Sequence, residues 1–175
     1  MDGRFTVFAW SPCDATKRGG WTAYYLAKMG AKVTLVDAYG PGNSRATSGD
    51  ETRGGRSSYG DRGPWAELWT RWANEAIDRW ARFDEEWGRE MKVRLWFNTG
   101  DLIFRAAPEP FTDRTRQLWA ELRVPFEAPK VEEVARAYPA INLTGITVVL
   151  REPRAGVVRA RRACETAYCL LPTDQ

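Results

Sequence analysis

At 175 residues with 43% hydrophobic content and no histidine, the chain can hold one cored domain or parts of two. It lacks the usual general base, the commonest metal ligand and any Ser–His or Cys–His nucleophile pair. The net charge of +3 comes from arginines spread along the chain, with one local basic run at Arg159-Ala160-Arg161-Arg162, which reads as a solvated surface and not as a nucleic-acid site.

No apolar stretch approaches the ~20 residues of a membrane span, and Met1-Asp2-Gly3-Arg4 leads into a strand-like run without a signal-peptide layout. The three cysteines, Cys13, Cys164 and Cys169, fit no common zinc spacing. A cytoplasmic protein with reduced thiols, no metal and no membrane partner is expected. Residues 4–9 then read as a short buried strand and residues 19–29 as a helix, with Trp21, Tyr24, Tyr25 and Leu26 near helical spacing. Gly30 suits its C-terminal cap. Lys32-Val33-Thr34-Leu35-Val36-Asp37 follows as a second strand, apolar enough for burial on both faces. Strand, helix and strand in this order make a βαβ unit.

Residues 38–63 form a long connection rich in Gly, Ser, Pro and Arg, a type that tends to be functional or disordered. A long helix is expected over 64–88. Its Trp65, Trp69, Trp72, Ala76, Trp80, Phe83 and Trp87 fall three or four apart and read as the apolar side of a helix packed against a sheet. Residues 93–105 have the pattern of a β-hairpin: Val93, Leu95 and Phe97 alternate, Asn98-Thr99-Gly100 turns, and Leu102-Ile103-Phe104 returns. Helices are expected at 111–123, 130–137 and 157–168, the second ending before Pro139, and a strand at 146–151.

Asp37 is the first chemical signal. A carboxylate ending the second strand of a βαβ unit can accept hydrogen bonds from the ribose of an adenine dinucleotide. A turn or N-cap aspartate is the alternative, and position alone leaves both open. The companion signal is a glycine-rich turn after the first strand, which lets main-chain amides and a helix N-terminus face a pyrophosphate. Here the turn from Ala9 to Gly20 keeps only the final glycines, Gly19 and Gly20. Trp10 is bulky, Pro12 lacks an N–H and Asp14 adds negative charge, so this segment alone does not identify a dinucleotide site.

Beyond Asp37 come a Ser/Gly-rich loop, then Thr52-Arg53-Gly54-Gly55-Arg56, then Tyr59-Gly60. This order resembles the flavin-binding region of the D-amino-acid oxidase superfamily, in the branch of monomeric sarcosine oxidase and N-methyltryptophan oxidase. The likeness extends through Gly19-Gly20-Trp21-Thr22-Ala23, Asn98-Thr99-Gly100-Asp101-Leu102, and Glu152-Pro153 with Gly156-Val157-Val158, about residues 19–167. The family usually has two aliphatic residues where Gly54 and Gly55 stand. Its members are much longer, and their later half supplies further flavin contacts, a lysine for oxygen chemistry and, in some, a cysteine that carries the flavin.

The resemblance implies an α/β fold: a partial Rossmann-like FAD-binding domain at 1–61 and 145–175, with an inserted α+β piece of a substrate domain at 62–144. It implies FAD as cofactor, a small-molecule amine or amino acid as substrate, and molecular oxygen or another electron acceptor. The reaction would be oxidation at the C–N bond of a secondary amine or amino acid. By resemblance, Asp37 holds the adenosine ribose, Gly19 and Gly20 are what remains of the phosphate turn, and Ser44, Arg45 and Ser48 contact the pyrophosphate or ribityl chain. Thr52 and Arg53 would sit beside the isoalloxazine ring. Arg56 would bind the substrate carboxylate through its guanidinium fork. Two alternatives stand beside this: a non-catalytic truncated relative with weak or no flavin binding, and a nucleotide- or partner-binding module using the basic loop at 45–62. The altered turn and the short length lead to the expectation that this chain alone holds FAD poorly, does not oxidise amines, and exposes part of its tryptophan-rich helix.

Overall fold

The structure is a computed structural model that describes residues 4–8, 19–89 and 91–171. In chain order its elements are β1 (Arg4–Phe8), α1 (Gly20–Lys28), β2 (Lys32–Val36), β3 (Arg53–Gly55), α2 (Ala66–Trp87), β4 (Trp96–Phe97), β5 (Asp101–Arg105), α3 (Pro110–Glu121), α4 (Val131–Ala137), β6 (Val148–Glu152), β7 (Gly156–Val158) and α5 (Ala160–Cys169). Single turns of 3-10 helix lie at Thr47–Gly49 and Gly63–Trp65. The described residues divide into two compact units. One takes those up to Arg53, 87–95 and those from Val158 onward; the other takes Gly54–Glu86 and Trp96–Val157.

In the first unit β1 and β2 run parallel, with Arg4 opposite Lys32 and Phe8 opposite Val36. A parallel pair needs a crossover connection, and α1 lies within it. Gly30 takes φ +86°, and its amide donates to the Ala27 carbonyl, so the helix stops where the glycine permits a left-handed turn. The expected βαβ unit is therefore present. The expected burial of both faces of β2 is not: Val33 and Leu35 are half-buried, while Lys32, Thr34 and Val36 on the other face are exposed. Helix α1 packs on β2 and also against α5. Small residues allow that second approach, a Cβ built on Gly20 lying 3.6 Å from the Ala167 Cβ. Trp87 donates its indole N–H to the Tyr24 hydroxyl at 3.0 Å.

The second unit holds a three-stranded sheet in the order β3-β7-β4 and an antiparallel pair, β5 with β6. The expected hairpin over 93–105 is thus corrected, because β4 and β5 belong to different sheets. The Asn98-Thr99-Gly100 turn exists, but its donors serve another loop. Asn98 donates through Nδ2 to the Pro153 and Ala155 carbonyls, both at 2.7 Å, and the Gly100 amide donates to Ala155 at 2.8 Å. The turn is a corner that passes the chain from one sheet to the other. At the start of helix α3 the Thr112 hydroxyl accepts the Glu109 amide at 3.3 Å and donates to the Glu109 carbonyl at 2.8 Å. Ile103, Trp119, Val124 and Leu150 form one buried apolar cluster, with Phe111, Leu122 and Phe126 against it.

The first half of the tryptophan stripe on α2 is also corrected, while Phe83 in its second half is buried as expected. The buried positions are Ala66, Thr70, Ile77 and Phe83, whereas Trp65, Trp69 and Trp72 are exposed at 63%, 41% and 58%. Ranking faces by apolar bulk selects the tryptophans. Close packing instead selects the neighbouring row, where Ala66 and Thr70 leave room for other chain segments.

Candidate functional site

The end of β2 delivers Asp37 to a cavity of about 260 Å³, lined also by Gly20, Leu35, Gly40, Cys164 and Tyr168. The open end of a parallel strand is where α/β folds place their ligands. Asp37 Oδ1 accepts the amides of Tyr39 at 2.8 Å and Gly40 at 3.0 Å, so one oxygen shapes the turn that follows the strand. Oδ2 has no hydrogen bond to a described residue and remains an acceptor. The first turn of α1, starting at Gly20 in the same cavity, has no side-chain cap and no acidic residue. Gly19 is itself in helical conformation, at φ -61° and ψ -47°, so the chain enters the cavity already wound, without a side chain between it and a ligand.

The loop after Asp37 has no periodicity in sequence, yet it is built from specific bonds. Asn43 donates to the Gly40 carbonyl at 2.9 Å and accepts the Arg45 amide at 3.0 Å. Gly49 passes so close to Asn43 that a Cβ would lie 1.9 Å from its carbonyl oxygen. The Arg161 guanidinium donates from two nitrogens to the Gly49 carbonyl, at 3.0 and 2.9 Å, and ties the loop to α5. Of the residues singled out in sequence, Gly19 directly precedes α1, and Gly20 and Asp37 share the cavity. Ser44 and Arg45 are exposed on the loop, with the Arg45 guanidinium 4.5 Å from the Tyr39 ring. Ser48 is buried, its carbonyl facing the Cys164 thiol. Thr52 is exposed, and Arg53 forms an ion pair with Asp50. Residues 9–18, with Trp10, Pro12 and Asp14, lie outside the described residues.

Arg56 belongs to a separate cleft in the second unit, about 600 Å³, whose wall includes Tyr59, Arg62, Asp101, Arg105 and Phe111. Its three guanidinium groups differ. Arg105 is paired with Glu109 and lies 5.0 Å from the Phe111 ring. Arg62 reaches Asp61 at 3.5 Å and lies 5.7 Å from the rings of both Tyr59 and Trp69. Arg56 has no ion pair with a described residue and is exposed at the cleft. It is the guanidinium of the three without an ion pair among the described residues.

A buried polar cluster lies immediately behind Arg56, and sequence reasoning missed it. Glu152 is 0% exposed. Its two carboxylate oxygens accept both donors of Ser57: the amide at 2.9 Å and the hydroxyl at 2.5 Å. Trp119 donates its indole N–H to the Ser57 hydroxyl oxygen at 2.9 Å. Burial raises the Glu152 pKa above the usual carboxylate value; the Ser57 bonds and the Arg56 charge oppose that rise, while Asp101 adds to it. The partners are 95 and 62 positions apart in sequence, so no local motif could have announced them. The Glu152-Pro153 pair was the only trace. Among the described residues no group of three or more Cys, Asp or Glu side chains is arranged to hold a metal, and no helix is long and apolar enough to cross a membrane.

A sequence profile of the family described as FAD dependent oxidoreductase matches residues 19–169. The chain is 26% identical over 155 residues to the monomeric sarcosine oxidase of Bacillus sp. (strain B-0618), covering 88% of this chain and 37% of that protein. It is 26% identical over 146 residues to the peroxisomal sarcosine oxidase of Homo sapiens, covering 83% of this chain and 35% of that one. Among solved structures, the L-proline dehydrogenase from P. horikoshii superposes with a TM-score of 0.76 at 19% identity, over 97% of this chain and 41% of that one. The fold is thus the α/β, Rossmann-like one expected from the sequence, and the chain spans a little over a third of the length of these relatives.

Proposed function

We propose, from the premise that this chain belongs to the family of FAD dependent oxidoreductases, that it forms the adenosine-binding and carboxylate-binding parts of an enzyme that oxidises the C–N bond of a secondary amine or amino acid. The observation that carries the reading is the cavity at the end of β2, where Asp37, with Oδ2 left as an acceptor, lies beside Gly20 at the start of α1. An acceptor for ribose hydroxyls beside a helix residue without a side chain suits the adenosine end of FAD, where a backbone can approach the cofactor closely. Gly19, Gly20 and Asp37 would hold this end, with Ser44, Arg45 and Ser48 along the pyrophosphate or ribityl chain and Thr52 and Arg53 near the ring.

FAD, when bound, supplies the acceptor for the two electrons taken from the amine. The role of the chain is to bind and orient. Arg56, with its guanidinium unpaired among the described residues, would fix the substrate carboxylate by a charge-assisted bidentate contact. Loss of two electrons and two protons turns the amine into an imine, water hydrolyses the imine, and molecular oxygen or another acceptor takes the electrons onward. The setting we infer is cytoplasmic, with a small-molecule amine or amino acid as substrate.

A second reading rests on the sequence before α1, which holds Pro12, a residue without an amide proton, and Asp14, a carboxylate, where the family resemblance calls for glycines. On that reading the chain is a non-catalytic relative that holds flavin weakly or not at all. FAD titration by fluorescence quenching of the parent and of Asp37→Ala, with a coupled peroxidase assay over N-methyl and primary amino acids, separates the two by whether a measurable affinity depends on Asp37. The expected result for this chain alone is binding weaker than about 1 µM and no peroxide, with Asp37→Ala weakening binding by roughly tenfold or more. No measurable binding would favour the second reading. Binding that Asp37→Ala leaves unchanged would remove the adenosine cavity from the proposal.

A further inference from the structure

We infer that Glu152 is a positioning residue for Arg56, clamping Ser57 by both of its donors so that the adjoining arginine is held in the wall of the cleft. The inference rests on the reading of Arg56 as the carboxylate ligand. Arg56 stands between two fixed points. On one side is Gly55, packed so tightly that a Cβ would lie 2.8 Å from the Trp96 ring. On the other is Ser57, 0% exposed, whose amide and hydroxyl both end on the Glu152 carboxylate at 2.9 and 2.5 Å. The Trp119 indole N–H, 2.9 Å from the Ser57 oxygen, occupies that oxygen as acceptor and leaves the hydroxyl proton for Glu152. Glu152 is itself held by the β5–β6 ladder, where it lies opposite Asp101, a residue of the same cleft wall.

A carboxylate suits this task because its two oxygens can accept two donors of one residue at once. An unpaired arginine otherwise has many rotamers, and fixing its backbone reduces the entropy lost when a ligand binds. The role depends on the reach and shape of the side chain more than on its charge. Glutamine has the same reach and keeps an acceptor for the Ser57 amide. Aspartate keeps the charge but is one methylene shorter.

The test uses the full chain with side-chain 15N-labelled arginine, titrated with N-methylglycine and with acetate while the Nε–H resonances of the cleft arginines Arg56, Arg62 and Arg105 are followed by NMR and binding is read independently by calorimetry. Arg56→Ala tests the underlying reading, because it should abolish the carboxylate-dependent response; if binding persists, the Arg56 reading fails regardless of Glu152. With that response established, Glu152→Asp should weaken binding about tenfold, while Ser57→Ala and Glu152→Gln, each of which loses the hydroxyl bond and keeps the main-chain one, should each weaken it about threefold. Circular dichroism reports the fold of each variant. If Glu152→Asp does not fold, Ser57→Ala, which keeps the main-chain bond, decides the matter. Parent affinity in a folded Glu152→Asp or in Ser57→Ala would overturn the inference. So would a greater loss in Glu152→Gln than in Glu152→Asp, which would mark the role as one of charge.

Discussion

Glu152 ties the chemistry of single residues to the stability of the chain. Its burial favours the neutral form, and its pKa is raised, so the folded chain binds this proton more tightly than the unfolded chain does. The glutamate carries no penalty below the unfolded carboxylate range and opposes folding increasingly as pH rises from there through its folded pKa. Glu152→Gln removes the titration while keeping the shape. The expected outcome is that the parent loses stability relative to Glu152→Gln as pH goes from about 4 towards neutrality, seen as a widening Tm difference. A difference that stays constant with pH would mean that the Ser57 bonds cancel the cost of burial. Residues also differ in how readable they were. Asp37 and Arg56 could be picked out because each belongs to a run whose order carries meaning. Ser57 and Trp119 could not, because their role comes from a contact that only the folded chain makes.

Elements were legible where the signal was local. The β1–α1–β2 crossover follows from two short apolar strands and a helix ended by Gly30, and all three are present. The pairing of β4 was not legible, since alternation and a turn describe a strand and a corner without naming the partner. The same limit applies to β3, a three-residue strand within a loop-like sequence. Its glycines are now distinguishable. A Cβ on Gly55 would meet Trp96 ring atoms at 2.8 and 2.9 Å, whereas one on Gly54 would meet only the Arg56 guanidinium at 3.7 Å. Trp96 is itself buried, so its ring has little space to retreat. Gly55→Ala is therefore expected to destabilise the chain by about 1–3 kcal/mol, the usual weight of overpacking, and Gly54→Ala to change it by less than about 0.5 kcal/mol. Urea denaturation of the two variants checks this, and equal effects would mean that the Trp96 contact does not restrain β3.

At the scale of the whole molecule, each unit draws on segments far apart in sequence. Composition along the chain gives no sign of such a division, because no linker or change of residue type marks its edges. The surface was partly readable: a helix with five tryptophans was expected both to pack through them and to leave some exposed. The structure separates the two halves of that stripe. Phe83 is buried and Trp80 and Trp87 half-buried, while Trp65, Trp69 and Trp72 at the start of α2 are exposed. Of these, Trp69 is partly occupied by Tyr59, with ring centroids 5.6 Å apart, and by Arg62. Trp65 and Trp72, at 63% and 58% exposure, have most of their area in water. Exposed apolar area of this kind promotes association, and exchanging it for polar area removes few internal contacts. The double variant Trp65→Gln, Trp72→Gln should therefore remain within about 1 kcal/mol of the parent in stability and stay monodisperse at concentrations where the parent scatters light. Light scattering against concentration, with Tm measured on the same samples, checks both parts. A fall in Tm of more than about 4 °C would show that these two indoles support the start of α2, and unchanged scattering would place the associating surface elsewhere on the chain.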